Sequence, residues 1–189
     1  GHLVDFDEAM KRQQLYKTEE GRAVLRAKEG ATHHGGCGHC EQGGECTMAD
    51  MLHRVPVREQ DPKVRATNFD EVCLGYNMEE AVAEAARCLT CKNPQCQKGC
   101  PVNIDIPGFI REVQEQNIAG AYVVISKYSA LPAVCGRVCP QESQCEAKCI
   151  RGIKAEPVSI GKLERFVADW ARENKIRPKV EAESKGKKV

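Results

Sequence analysis

Apolar residues recur every three or four positions over several stretches of the chain, separated by segments rich in glycine, proline or charge. This spacing is typical of amphipathic helices that turn one face towards a core. Asn77 and Glu80 occupy the positions of a capping box, which predicts a helix beginning there with Cys88 on its last turn. The predicted helices cover residues 4–29, 77–89, 106–116, 117–128 and 158–175, with a further helical turn over residues 48–52.

The last of these helices has one apolar face, formed by Ile160, Leu163, Phe166, Val167 and Trp170. No stretch of useful length alternates apolar and polar residues as a half-buried strand does. Residues 53–72 contain two prolines and many charges, which predicts an extended linker, and residues 178–188 have the charged, apolar-poor composition of disorder. The expected fold class is therefore all-α.

Composition adds a requirement for cross-linking. Only 5% of the residues are aromatic, while twelve of 189 are cysteine. A chain with so few large apolar side chains needs cross-links to stabilise its fold. In a reducing compartment, bound metal provides such cross-links more readily than disulfides do.

Charge and hydropathy exclude two classes of partner. The 28 basic and 27 acidic residues give a net charge of +1, which predicts no binding to nucleic acid or to an anionic membrane surface. No apolar run reaches the ~20 residues of a membrane span, and the N-terminus has no signal-peptide pattern. We therefore expect a cytoplasmic protein.

Eleven of the twelve cysteines fall into three closely spaced groups, and Cys73 stands apart. The groups are Cys37-x2-Cys40-x5-Cys46 with His33 before it, Cys88-x2-Cys91-x4-Cys96-x3-Cys100-Pro101, and Cys135-x3-Cys139-Pro140-x4-Cys145-x3-Cys149. Disulfides give no reason for a two-residue spacing. Pairs of Cys-x2-Cys suit zinc, whereas tight cysteine loops with a Cys-Pro step are typical of iron–sulfur clusters. Iron–sulfur is the favoured interpretation, and a zinc-stapled structural or interaction module without redox activity is the alternative.

Bacterial ferredoxins use the cysteine of their Cys-Pro step for the other cluster of a pair. By that rule Cys88, Cys91 and Cys96 would surround one cubane, and Cys100 would point to a second. The third group would then return one cysteine to the first cubane. Spacing alone does not determine which cysteine returns.

Three segments occur in an order that resembles a known family: RCLTCKNPQCQKGCPVNIDIPGFI, LPAVCGRVCPQESQCEAKC and PVSIGKLERFVADW. They resemble the N-terminal iron–sulfur domain of the glutamate synthase small subunit, which also opens dihydropyrimidine dehydrogenase and the flavoprotein subunits of bifurcating enzymes. The resemblance covers residues 54–174. It implies an irregular helical iron–sulfur domain (alpha-helical ferredoxin-like) with long cluster-binding loops, in which two 4Fe-4S clusters relay electrons between flavins.

The same resemblance implies the ligands. For the first cluster it implies Cys88, Cys91, Cys96 and Cys149. For the second it implies Cys100, Cys139, Cys145 and Glu164, the last standing where dihydropyrimidine dehydrogenase has a glutamine ligand. A carboxylate on iron is expected to alter the potential of the cluster. Cys135 is left over and is interpreted as a buried thiol, with a ligand role as the alternative; Cys73 is expected to be structural.

The glycine-rich loop THHGGCGHCEQGGEC resembles a different segment, found in iron-only hydrogenases and in the large peripheral subunit of respiratory NADH dehydrogenase. This second resemblance covers residues 18–52 and allows a third 4Fe-4S cluster, held by His33, Cys37, Cys40 and Cys46. Glycine suits such a loop because it accepts unusual backbone angles and leaves its amides free to donate to cluster sulfurs. The other two histidines of the loop, His34 and His39, are expected to face solvent.

These observations predict three parts: N-terminal helices and the histidine–cysteine loop at 1–53, a two-cluster domain at 54–176, and a linker at 177–189. By resemblance the linker leads to FAD- and NAD(P)H-binding domains beyond the present sequence. The expected function is an electron-transfer module of an NAD(P)H-dependent flavoprotein oxidoreductase of glutamate synthase small-subunit type, not catalytic alone. The expected partners are the flavin domains of the same full-length chain and another redox subunit or ferredoxin.

Overall fold

The computed structural model describes residues 51–177, and nearly all of their regular structure is helical. In chain order the elements are β1 (Arg58–Glu59), α1 (Pro62–Arg65), β2 (Cys73–Gly75), α2 (Met78–Ala86), α3 (Gln95–Lys98), α4 (Ile106–Gln114), α5 (Ile118–Ser126), α6 (Pro132–Val138) and α7 (Ile160–Glu173). Two 3-10 turns, Glu146–Lys148 and Ile150–Ile153, lie between α6 and α7. The all-α expectation is confirmed, with one small addition: β1 and β2 pair antiparallel in a two-stranded sheet.

Side-chain caps mark the beginning of α2, α4 and α5. Asn77 forms the predicted capping box with Glu80, each side chain accepting from the other residue's backbone N–H. Asp105 accepts from the amide of Gly108 at the start of α4, and Asn117 accepts from the amide of Gly120 at the start of α5. Each cap satisfies a backbone donor that the first turn of a helix leaves unpaired. These three starts agree with the sequence-based expectations.

The core lies where α2, α4, α5 and α7 meet. Its fully buried side chains include Phe109, Ile110, Val113, Ile118, Ile125, Leu163 and Val167. Of the apolar face predicted for α7, four residues are buried and Trp170 is half-buried. Cysteines of both downstream groups pack against this same core, among them Cys88, Cys96, Cys100, Cys145 and Cys149.

A buried ion pair connects α2 to the segment before α7. Glu84 and Arg87 have no exposed side-chain surface, and Arg87 Nη1 lies 2.7 Å from Glu84 Oε1. Glu84 also accepts from the amides of Val55 and Ser159, and Arg87 donates to the carbonyl of Glu156. Because both charges are buried and their neighbours are backbone groups, removing either partner would leave an uncompensated charge.

The structure departs from the sequence-based helix assignments in three places. Helix α2 ends at Ala86, so Cys88 follows the helix instead of lying on its last turn. The expected linker at 53–72 contains β1 and α1, and the short helices α3 and α6 lie in segments for which no helix was predicted. These elements have two to seven residues, which is too short for a hydrophobic period to develop. The expected helices before residue 51 and the expected disorder of 178–188 lie outside the described residues.

Among residues 51–177, no helix combines the length and apolar character needed to cross a membrane.

Candidate metal centres

The first donor set consists of cysteines that three segments bring to one cavity. Cys88 and Cys91 lie in the loop between α2 and α3, Cys96 is in α3, and Cys149 lies between the two 3-10 turns. All four line a cavity with the apolar side chains of Ile106, Ile110, Val158 and Ile160. Cys149 therefore leaves its own sequence group and joins the three cysteines of the preceding one.

The environments of Cys88 and Cys96 favour their neutral thiol forms. Burial raises the pKa of Cys88, and Cys149 and Cys91 raise it further, while nearby Arg151 opposes the shift. Burial and the neighbouring thiols raise the pKa of Cys96 to about 11. Deprotonated together, these sulfurs would repel one another in an apolar cavity, so their ionisation requires a bound cation.

The second donor set gathers Cys100, Cys139, Cys145 and Glu164. Burial raises the pKa of Cys139, and Cys135, Glu164 and Cys100 add to that shift. For Cys145, burial raises the pKa to about 12 together with the charges of Glu146, Cys100 and Glu164. Cys100 thus leaves the second sequence group and joins the third, which is the reciprocal of the exchange made by Cys149.

Close approach at Gly99 accounts for the position of Cys100. A Cβ built on Gly99 would lie 2.8 Å from the backbone oxygen of Gln144. The end of α3 therefore presses directly on the segment that leads into Cys145. Only glycine permits this contact. Because Cys100 directly follows Gly99, the contact places Cys100 at the second set.

Glu164 is the donor whose surroundings most clearly call for a partner. It lies on α7 with 7% of its surface exposed, and its Oε1 is buried without a hydrogen-bond partner. Burial raises the pKa of this carboxyl to about 7. An unpaired buried carboxylate oxygen is costly, and a metal ion beside three thiols would satisfy it. The residues present therefore fit an iron–sulfur group at this position.

Two buried carboxylates fix the start of α7, one turn before Glu164. Glu146 accepts from the amide of Gly161 at 3.1 Å and from Arg54 Nη2 at 2.7 Å. Glu84 accepts from the amide of Ser159 at 2.8 Å. Burial raises the pKa of Glu146, although Arg54 and the amides oppose that shift. The sequence pattern did not identify Glu84 or Glu146 as residues of the site. For Glu84, the presence of a glutamate within the alanine-rich helix α2 could have indicated a role.

Helix α6 holds the other side of the second set. A Cβ on Gly136 would lie 2.6 Å from the backbone nitrogen of Arg165, so α6 and α7 are in backbone contact. Cys135 directly precedes Gly136, and Glu164 directly precedes Arg165. The contact between Gly136 and Arg165 therefore brings Cys135 and Glu164 towards the second set. Cys135 is half-buried, whereas a buried thiol was expected. Cys73 lies apart on β2, where its sulfur is 3.8 Å from Lys162 Nζ.

Within residues 51–177, no three His, Cys, Asp or Glu side chains converge tightly enough to hold a single metal ion.

The structure thus brings together both donor sets implied by the resemblance. His33, Cys37, Cys40 and Cys46 lie outside the described residues.

Known proteins match this part of the chain. The family described as dihydropyrimidine dehydrogenase domain II, 4Fe-4S cluster, matches residues 65–176. The glutamate synthase (NADPH) small chain of Halomonas elongata is 39% identical over 133 residues, 66% of this chain and 28% of that protein. Its Escherichia coli K12 counterpart is 37% identical over 139 residues, 73% of this chain and 29% of that protein.

A third relative, the NAD-dependent dihydropyrimidine dehydrogenase subunit PreT of Escherichia coli K12, is 39% identical over 105 residues, 56% of this chain and 26% of that protein. The chain spans less than a third of the length of each of these relatives. The family match begins at residue 65, so the resemblance of residues 18–52 to hydrogenases stays a prediction. The match from 65 to 176 covers more than half of the sequence and contains both donor sets, and the chain belongs to the family of dihydropyrimidine dehydrogenase domain II iron–sulfur domains.

Proposed function

We propose that this domain binds two 4Fe-4S clusters and passes electrons between redox groups on neighbouring domains or subunits. The first cluster would be held by Cys88, Cys91, Cys96 and Cys149. The second would be held by Cys100, Cys139, Cys145 and Glu164. The observation that carries the proposal is the reciprocal exchange of Cys100 and Cys149, together with the unpartnered Glu164 oxygen at the second set.

The chain's own residues have three tasks in this function. The thiols serve as ligands and are not nucleophiles. The apolar side chains around the first set, such as Ile106 and Val158, exclude water from it. Arg151 places a positive charge beside Cys88, which favours an added electron there. When bound, each cluster supplies a site that accepts and releases one electron at a potential set by charge, hydrogen bonds and solvent.

The larger protein would be an NAD(P)H-dependent flavoprotein oxidoreductase, with FAD and NAD(P)H on domains beyond this sequence and a cytoplasmic location. The names of the relatives support this proposal, since they include an NADPH glutamate synthase chain and an NAD-dependent dehydrogenase subunit. The partners would be the flavin domains of the full-length chain and another redox subunit or ferredoxin.

A third cluster, held by His33, Cys37, Cys40 and Cys46, would extend the relay. Cys46 precedes Met51 by five residues in the sequence. The carbonyl of Met51 accepts from Arg151 Nη1 at 3.4 Å, and Arg151 Nε donates to the carbonyl of Arg87 beside Cys88. This contact supports an exchange of electrons between the third cluster and the first one.

Metal and sulfide analysis tests the proposal. Protein purified without oxygen should contain about eight iron and eight sulfide atoms per chain from two cubanes, or about twelve of each with the third. Its visible absorbance should bleach on reduction. Zinc without labile sulfide would reject the proposal and favour the structural module.

Two variants then test the individual ligands. Glu164→Ala should make the second cluster labile while the first persists, because three thiolates alone leave one iron open. Glu173→Ala is the matched control, since Glu173 is an exposed carboxylate on the same helix. His33→Ala should remove about four iron atoms if the third cluster forms, and unchanged iron content would exclude that cluster.

A further inference from the structure

The second donor set contains one more potential ligand than a cubane requires. Three thiols and Glu164 complete the four positions, yet the sulfur of Cys135 lies beside that of Cys139. Cys135 and Cys139 are four residues apart on α6 and its C-cap, and therefore lie on the same face of the helix. The proposed function gives no role to Cys135, which is the fifth potential ligand of this set.

The contacts of Cys135 argue against its being the fourth ligand. Its sulfur accepts a hydrogen bond from the hydroxyl of Ser129, with an Oγ–Sγ distance of 3.9 Å, and has Cys139 as a neighbour. The Glu164 Oε1, by contrast, has no partner at all. Of the two candidates, Glu164 has a carboxylate oxygen that lacks a partner without metal, whereas the Cys135 sulfur already accepts from Ser129.

The position of Cys135 is fixed on several sides. Its carbonyl accepts from Gln141 Nε2 at 3.0 Å and from the amide of Cys139 at 3.1 Å. The next residue, Gly136, is in backbone contact with Arg165 of α7. Ser129 is 6% exposed and lies in the turn between α5 and α6. These contacts fix the backbone that carries the Cys135 thiol.

We propose that the Cys135 thiol donates a hydrogen bond to the Cys139 sulfur when that sulfur binds iron, and thereby raises the reduction potential of the second cluster. This inference rests on the proposed cluster function. Ser129 donates to the Cys135 sulfur, which polarises the S–H group and leaves its proton for Cys139. A reduced cluster carries one more negative charge, so a donor to a ligating sulfur stabilises the reduced form more than the oxidised form. Cys135 is a positioning and tuning residue, not a ligand.

The test is a redox titration of the holoprotein, monitored by electron paramagnetic resonance and compared with iron content. Cys135→Ala should keep all of its iron and shift the second cluster to a more negative potential, with the first cluster unchanged. Cys135→Ser retains a donor and should shift it less than Cys135→Ala. Ser129→Ala should give a smaller shift in the same direction, because the thiol remains while its polarising partner is lost. Cys73→Ala is the control, since that thiol contacts Lys162 on the sheet side of α7.

Two results would overturn this inference. Loss of one cluster's iron in Cys135→Ala would make Cys135 a ligand, and an unchanged potential of the second cluster would remove its tuning role. If Cys135→Ala fails to fold, Ser129→Ala still tests the inference. An unshifted potential of the second cluster in Ser129→Ala would then count against the hydrogen bonds from Ser129 to Cys135 and from Cys135 to Cys139. Failure of the underlying function would look different, because wild-type protein would then lack iron and sulfide altogether.

Discussion

The two donor sets are built in different ways. The first consists of four thiols that loops and short turns bring to an apolar cavity, and three of them lie within nine residues of chain, from Cys88 to Cys96. The second depends on packing between helices: Cys139 ends α6, Glu164 lies on α7, and Gly136 holds the two helices in backbone contact. Local spacing thus dominates the first set and tertiary structure dominates the second, so damage to the helix packing should affect the two unequally.

The buried pair of Glu84 and Arg87 should be the exception, because it supports both sets. Arg87 precedes Cys88, and Glu84 accepts from the amide that leads into α7. Glu84→Ala leaves the Arg87 charge buried without its carboxylate, at a cost of about 3–5 kcal/mol. Chemical denaturation of the holoprotein should report this loss, and iron should dissociate from both clusters. Retention of one cluster at full occupancy would show that the pair serves only one set.

Gly136→Ala should separate the two sets. The added Cβ would meet the backbone of Arg165 at 2.6 Å, which forces α6 away from α7 at a cost of about 1–3 kcal/mol. We expect faster loss of iron from the second cluster and normal retention by the first, measured by chelator challenge. Gly152→Ala is the matched control, because its nearest contact would be 3.4 Å from Pro157. Equal loss from both clusters would contradict the distinction drawn above.

Arg151→Gln should act on the first set alone. Arg151 lies beside Cys88 and favours its charged form, so its removal should shift the first cluster to a more negative potential. The proposed second cluster, whose ligand Cys145 lies near Glu146, should keep its potential. A redox titration checks both values in one sample. A shift confined to the second cluster would reverse the assignment.

The smallest effect is expected from Glu71, which lies between α1 and β2 and pairs with Arg137 of α6. Its carboxylate pairs with Arg137 Nε at 2.7 Å, and this hydrogen bond lowers its pKa from 4.5. The pair is exposed, so Glu71→Gln should cost no more than about 1 kcal/mol. A lowered pKa means that the stabilisation is present above pH 4.5 and is lost as the pH falls through the folded-state value. Denaturation curves of wild type and variant should therefore converge in acid, and a constant difference down to acid pH would argue against the pair.

Sequence periodicity and the capping box at Asn77 predicted the long helices well. Helices α4 and α5 begin where Asp105 and Asn117 cap them, and α7 lies within its predicted range with its apolar stripe inside. The short α3 and α6 could not be predicted, because four or seven residues contain too little periodicity. Helix α2 ends at Ala86 with Arg87 as its C-cap, and Thr90 then adopts a positive φ of 44°.

Some features of the site could likewise be predicted from the sequence and others could not. The spacing from Cys88 to Cys96 was enough to predict that these cysteines act together. The partner of each exchanged cysteine and the role of Glu164 required a family resemblance, since they depend on the contacts of Gly99 and Gly136 with distant backbone. Cys135 was expected to be a buried structural thiol. Its neighbours Ser129 and Cys139 become apparent only once α6 is in place.

The exchange of Cys100 and Cys149 between the groups is the central claim, and a paired substitution tests it most directly. Cys149→Ala and Cys100→Ala are each analysed for iron and by electron paramagnetic resonance, with the Glu164→Ala protein identifying the signal of the second cluster. Cys149→Ala should lose the first cluster and keep the signal that depends on Glu164. Cys100→Ala should lose that signal and keep the first cluster. Loss of the Glu164-dependent signal in Cys149→Ala, with its retention in Cys100→Ala, would contradict the assignment.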